Sequence, residues 1–82
     1  MKILYFTAPW CQPCKMLGPQ MEVVAEEGIP VQKVNIDTDT ELSTKYGVRN
    51  IPTLLKVDDS GAVIAVSVGY RHANEIKQWY NG

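Results

Sequence analysis

Cys11 and Cys14 are the only cysteines in a chain of 82 residues, and two residues separate them. Before them runs an apolar stretch, Ile3-Leu4-Tyr5-Phe6, which Thr7-Ala8-Pro9 breaks. After them Leu17, Met21 and Val24 recur at i, i+4 and i+7, one face of a helix. The order implies a strand, a short loop, then two thiols on the first turn of a helix. Residues three apart in a helix are neighbours on one face. Their Cα atoms are about 5–6 Å apart, inside the window for a disulfide. The pair can therefore close and reopen with little backbone movement.

Such a turn suits the making and breaking of disulfides. A helix N-terminus favours negative charge through its unpaired N–H groups and its dipole, by roughly 0.3–1 kcal/mol and up to ~2 when partly buried. One pKa unit is about 1.4 kcal/mol, so the dipole lowers a thiol there by about one unit. From a free value near 8.5, about a quarter of Cys11 would be thiolate at neutral pH. Cys11, expected to be the more exposed, is the candidate nucleophile. Cys14, one turn deeper, is the candidate resolving thiol. Three plainer readings compete. A structural staple closing so short a loop removes only about 2 kcal/mol of unfolded-state entropy. A structural zinc site wants four ligands, and His72 is the only imidazole available; no metal is expected. Two inert buried thiols would not need Trp10 before them and Pro13 between them at a strand–helix junction.

Eighty-two residues bound the chain to one domain, 1–82, with a single modest core. Eight basic and nine acidic residues are interspersed and give a net charge of −1, so there is no basic stripe for nucleic acid. The longest apolar stretch, Ala62 to Val68, is too short to span a bilayer. Met1-Lys2-Ile3-Leu4 runs straight into a strand and lacks the form of a secretory signal. A cytoplasmic protein is expected, where a close dithiol is more often catalytic than structural.

In order along the chain, residues 2–6 read as a strand buried on both faces. A helix over 11–27 follows, with Pro13 tolerated in its first turn, Pro19 expected to kink it and Gly28 to stop it. Residues 31–36 read as a second strand, parallel to the first. Asp39 is a candidate N-cap for a short helix that turns Leu42 and Tyr46 inward and ends at Gly47. Residues 53–57 and 62–68 form a hairpin across the turn Asp58-Asp59-Ser60-Gly61. Ala73, Ile76 and Tyr80 stripe a last helix, Trp79 flanks the stripe, and His72, a poor capping residue, sits near its start. The order is β-α-β-α-β-β-α, an α/β chain with one four-stranded mixed sheet and three helices. The dithiol falls at the C-terminal end of the first strand, the edge such sheets use for reaction. Trp10, in the loop, is expected to keep a partly exposed ring beside Cys11.

The assembled residues resemble the thioredoxin family. The matches are Trp10-Cys11-Gln12-Pro13-Cys14, Lys15-Met16 followed by Pro19, Val34-Asn35-Ile36-Asp37, Lys45-Tyr46-Gly47-Val48, Ile51-Pro52-Thr53 and Val68-Gly69. They run in family order across nearly the whole chain. The resemblance implies a thioredoxin fold and dithiol–disulfide exchange with disulfide-containing protein substrates, with no bound cofactor beyond a redox-active Cys11–Cys14 disulfide. It implies a cis Ile51–Pro52 bond facing the dithiol, where the residues alone would equally allow a trans proline opening a strand. It implies a docking surface of Trp10, Pro13, Ile51, Pro52 and Gly69, joined by Tyr70, and a monomer recharged by a flavin-dependent thioredoxin reductase or by glutathione. The chain departs from the family pattern in three ways. The extra N-terminal strand and helix are absent. Gln12 stands where glycine is common. Tyr5 replaces a buried aspartate that assists proton transfer at the resolving thiol, which leaves a water or a substrate group to take the Cys14 proton. Lys33, the usual companion of that aspartate, reads equally as a functional lysine and as an ordinary strand lysine. Two rival readings remain at this level. One is a glutaredoxin-like, glutathione-dependent oxidoreductase, which the chain length fits. The other is a non-catalytic interaction module whose apolar patch holds a fixed partner.

Overall fold

A computed structural model describes the whole chain, residues 1–82. Its elements are β1 (Lys2–Thr7), α1 (Gln12–Glu26), β2 (Val31–Asn35), α2 (Thr40–Tyr46), β3 (Thr53–Val57), β4 (Val63–Val68) and α3 (Ala73–Asn81). The strands form one sheet in the order β2-β1-β3-β4. β1 is parallel to β2 and antiparallel to β3, and β3 is antiparallel to β4. The expected element order and mixed sheet are therefore what the chain adopts. Element ends differ from expectation by one residue, a consequence of fraying and capping.

The apolar run of β1 explains its place near the middle of the sheet. Alternate residues of a strand face opposite ways, so a run apolar at every position needs cover on both sides. Ile3 and Tyr5 share one buried cluster with Leu17, Met21 and Val24 of α1 and with Ala73 and Ile76 of α3. Leu4 and Phe6 share the other with Val34, Leu55 and Val57, and Leu42 and Tyr46 of α2 pack against it. Each fully buried large side chain contributes roughly 1.5–3 kcal/mol relative to exposure. The core is thus two layers split by the sheet, with α1 and α3 on one side and α2 on the other.

Two glycines end helices as their freedom at positive φ allows. Gly47 closes α2 at φ 64°, and Gly28, just beyond the α1 cap residue Glu27, has φ 92°. Asp39 occupies the N-cap of α2, but its side chain makes no capping hydrogen bond. Pro19 lies inside α1, which continues through it from Gln12 to Glu26. Between β1 and the start of α1 the chain passes through Ala8, Pro9 and Trp10, and this short connection brings Cys11 to the C-terminal end of the strand.

Candidate active site

Cys11 is the N-cap of α1, with extended backbone (φ −89°, ψ 111°), and its Sγ accepts a hydrogen bond from the Cys14 amide at 3.3 Å. This is the position where a side-chain acceptor satisfies an otherwise unpaired N–H of the first turn. Pro13 stands at the helix start, where its missing N–H leaves no bond unmade. Cys11 and Cys14 are joined as a disulfide, with Cα atoms 5.2 Å apart. The geometry expected from the spacing is met. Cys11 is the more exposed of the two, as expected, though only narrowly in this oxidised state. Cys11 is 5% exposed and Cys14 2%, because Ala8, Ile36 and Ile51 pack around the bridge.

Trp10 and Ile51 both neighbour the pair. Trp10 is 65% exposed, and its indole N–H donates to the Asp37 carboxylate at 2.9 Å. That bond fixes a large aromatic ring next to Cys11 instead of burying it. The Ile51–Pro52 peptide is cis. Ile51 is half-buried against the cysteine cluster, and Pro52 is buried. The Gly69 amide donates to the Pro52 carbonyl at 2.9 Å, which ties the end of β4 to this loop. Gly69 thus reaches the site through Pro52, and its φ of 92° lets the chain turn there. Pro13 and Tyr70 are exposed.

One side chain near the bridge gains a partner that the sequence did not reveal. The Tyr5 hydroxyl, on buried β1, donates to the Cys14 carbonyl at 3.0 Å. Lys33 pairs with Tyr5 across the parallel β1–β2 ladder and is exposed. Both line a cleft of about 380 Å³ that also borders Thr7, Cys14, Lys15 and Asn35. In the sequence Asp37 stands out only as the end of the stretch Val34-Asn35-Ile36-Asp37. Its place just past β2, parallel to the strand that delivers Trp10, was the available signal. His72 caps α3, its Nδ1 accepting from the Asn74 amide at 3.2 Å. Nowhere do three His, Cys, Asp or Glu side chains converge as metal ligands would. No helix is long and apolar enough to cross a membrane.

Comparison with known proteins agrees with this geometry. The thioredoxin family model matches residues 1–82. The chain is 39% identical to a thioredoxin of Bacillus subtilis over 79 residues, covering 93% of this chain and 75% of that protein. It is 37% identical to a thioredoxin of Haemophilus influenzae over 82 residues, covering 96% and 76%. Among solved structures, a mutant thioredoxin from Halobacterium salinarum superposes with a TM-score of 0.87 at 35% identity, over 96% of this chain and 70% of that one. Thioredoxin-2 of the malaria parasite gives the same TM-score at 26% identity, over 96% and 79%.

Proposed function

The chain belongs to the thioredoxin family and is a protein-disulfide oxidoreductase acting through Cys11 and Cys14, and from that premise we propose how its residues divide the reaction. Cys11, reduced to the thiolate, attacks one sulfur of a target disulfide. A mixed disulfide forms between Cys11 and the target, and the other target sulfur leaves as a thiolate. Cys14 then attacks Cys11 Sγ, releases the second target thiol and leaves the Cys11–Cys14 bridge. The observation that carries this division is the Cys14 amide aimed at Cys11 Sγ at the helix N-cap. The donor that stabilises a negative Cys11 sulfur is already in place, and Cys14 lacks an equivalent one.

Trp10, Pro13, Ile51, Pro52 and Gly69, with Tyr70, form the docking surface in this reading. Ile51 packs half-buried against the cysteines and Trp10 is exposed next to Cys11, and an extended target segment laid across them presents its disulfide to Cys11. The oxidised pair is recharged by a flavin-dependent thioredoxin reductase or by glutathione. A cytoplasmic monomer with one domain, 1–82, fits these roles.

Disulfide reduction by single-cysteine variants tests the assignment. Cys11→Ser should abolish turnover, and Cys14→Ser should accumulate a mixed disulfide between Cys11 and the target. Wild-type turnover by Cys11→Ser overturns it. Supplying each electron donor in turn identifies which one restores the dithiol.

A further inference from the structure

We propose that Tyr5 is a positioning residue that holds the resolving sulfur in line during the second half of the reaction. The proposal rests on the division of roles given above, with Cys14 as the resolving thiol. β1 is hydrogen-bonded on both sides and buried on both faces. Tyr5 is among its buried residues and shares a cluster with Leu17, Met21 and Leu54. Its hydroxyl donates to the Cys14 carbonyl at 3.0 Å, in a buried setting. A helical carbonyl has a second lone pair beyond the one used within the helix, so the phenol adds a tether without displacing a helix bond. It is the one buried side-chain hydrogen bond from the sheet to the first turn of α1.

The two cysteines are therefore held unequally. Cys14 lies inside the helix and is pinned to the sheet through Tyr5. Cys11 lies at the cap with extended backbone, and its sulfur is held by one amide at 3.3 Å. When the bridge opens, Cys11 is the sulfur free to swing toward the target, and Cys14 keeps its aim. In the resolving step the Cys14 thiol gives its proton to water in the cleft walled by Tyr5, Cys14, Lys33 and Asn35. A sulfur lone pair forms the new bond to Cys11 Sγ, and the bond from Cys11 to the target breaks. Its electron pair leaves on the target sulfur, which takes a proton from solvent. Fixed orientation of this kind acts on an intramolecular step and leaves the first, bimolecular attack unaffected.

Reaction of the reduced protein with limiting 5,5′-dithiobis(2-nitrobenzoate), followed by stopped-flow absorbance, separates the two steps. The first thionitrobenzoate released reports attack by Cys11, and the second reports displacement by Cys14. Tyr5→Phe keeps the ring and removes only the hydroxyl. It should leave the first phase unchanged and slow the second roughly three- to tenfold, the worth of one net hydrogen bond. Tyr5→Met, also without a hydroxyl, should show the same selective slowing. An unchanged second phase in the variants, or equal slowing of both phases, overturns the tether. Cys14→Ser separately checks the roles: loss of the second phase alone supports Cys14 as resolving thiol, and loss of the first phase removes the premise.

Discussion

Ser67 carries a buried side-chain oxygen with no hydrogen-bond partner, at 2% exposure on β4. An unsatisfied buried hydroxyl costs about 1–3 kcal/mol in desolvation. Ser67→Ala should therefore raise stability by up to about 1 kcal/mol, measured as the urea midpoint at constant slope. The carboxylate of Asp58 is the opposite case. It accepts from the Ser60 hydroxyl at 2.6 Å, the Ser60 amide at 2.8 Å and the Ala62 amide at 3.0 Å, and closes the turn between β3 and β4. The Ser60 hydroxyl first, then the Ala62 amide, hold its pKa below the ordinary 3.8. A depressed folded value means the turn gains from Asp58 above that ordinary value and loses the gain as pH falls through the folded one. An NMR titration of the Asp58 carboxyl should give a midpoint below 3.8, and Ser60→Ala should move it back up. The turn chemistry of Asp58-Asp59-Ser60-Gly61 was readable from residue types. The orphaned Ser67 was not, because nothing local marks which face of β4 is covered.

At the scale of elements, α3 is held by devices that its apolar stripe does not announce. Its first turn is capped by His72, and the Ala73 amide is taken by the side chain of Gln20 on α1 at 2.9 Å. At its far end Lys56, only 7% exposed on β3, reaches the Tyr80 carbonyl with its ammonium and lies 5.1 Å from the Tyr80 ring. A cation at a helix C-terminus is favourable, and the aliphatic stem fills the gap beneath it. Lys56→Ala should destabilise the protein by about 1.5–3 kcal/mol, the range for a hydrogen bond to a charged group. The loss should show as faster amide exchange over the last turn of α3. The stripe Ala73, Ile76 and Tyr80 gave α3 its place in the sequence reading. Nothing in the sequence around Lys56 marks its role, since a partner 24 residues away leaves no local trace. Helix α1 was more legible, because spacing, cap and apolar face all lie within one short segment.

Over the whole molecule, one sheet divides two clusters that share β1 and β3. A chain of this length has roughly 4–12 kcal/mol of stability in total, at about 0.05–0.15 kcal/mol per residue. Leu17, fully buried between α1 and the sheet, joins the helix carrying the dithiol to the core. Leu17→Ala should cost about 2–5 kcal/mol, a large share of that margin, and denaturant unfolding reads it directly. The same arrangement explains what could be read before the structure was known. The element order and the dithiol turn follow from patterns within single segments. Contacts such as Trp10 with Asp37 and Tyr5 with Cys14 depend on how segments meet, and only the folded chain supplies that.

All of the proposed chemistry depends on a stabilised sulfur anion at the start of α1. Alkylation of Cys11 in the reduced Cys14→Ser protein, timed across a pH series, reads its ionisation directly. The midpoint should lie below the ordinary thiol value of ~8.5, because the helix N-terminus favours the anion. A midpoint at or above that ordinary value would contradict the reading of Cys11 as the attacking thiolate.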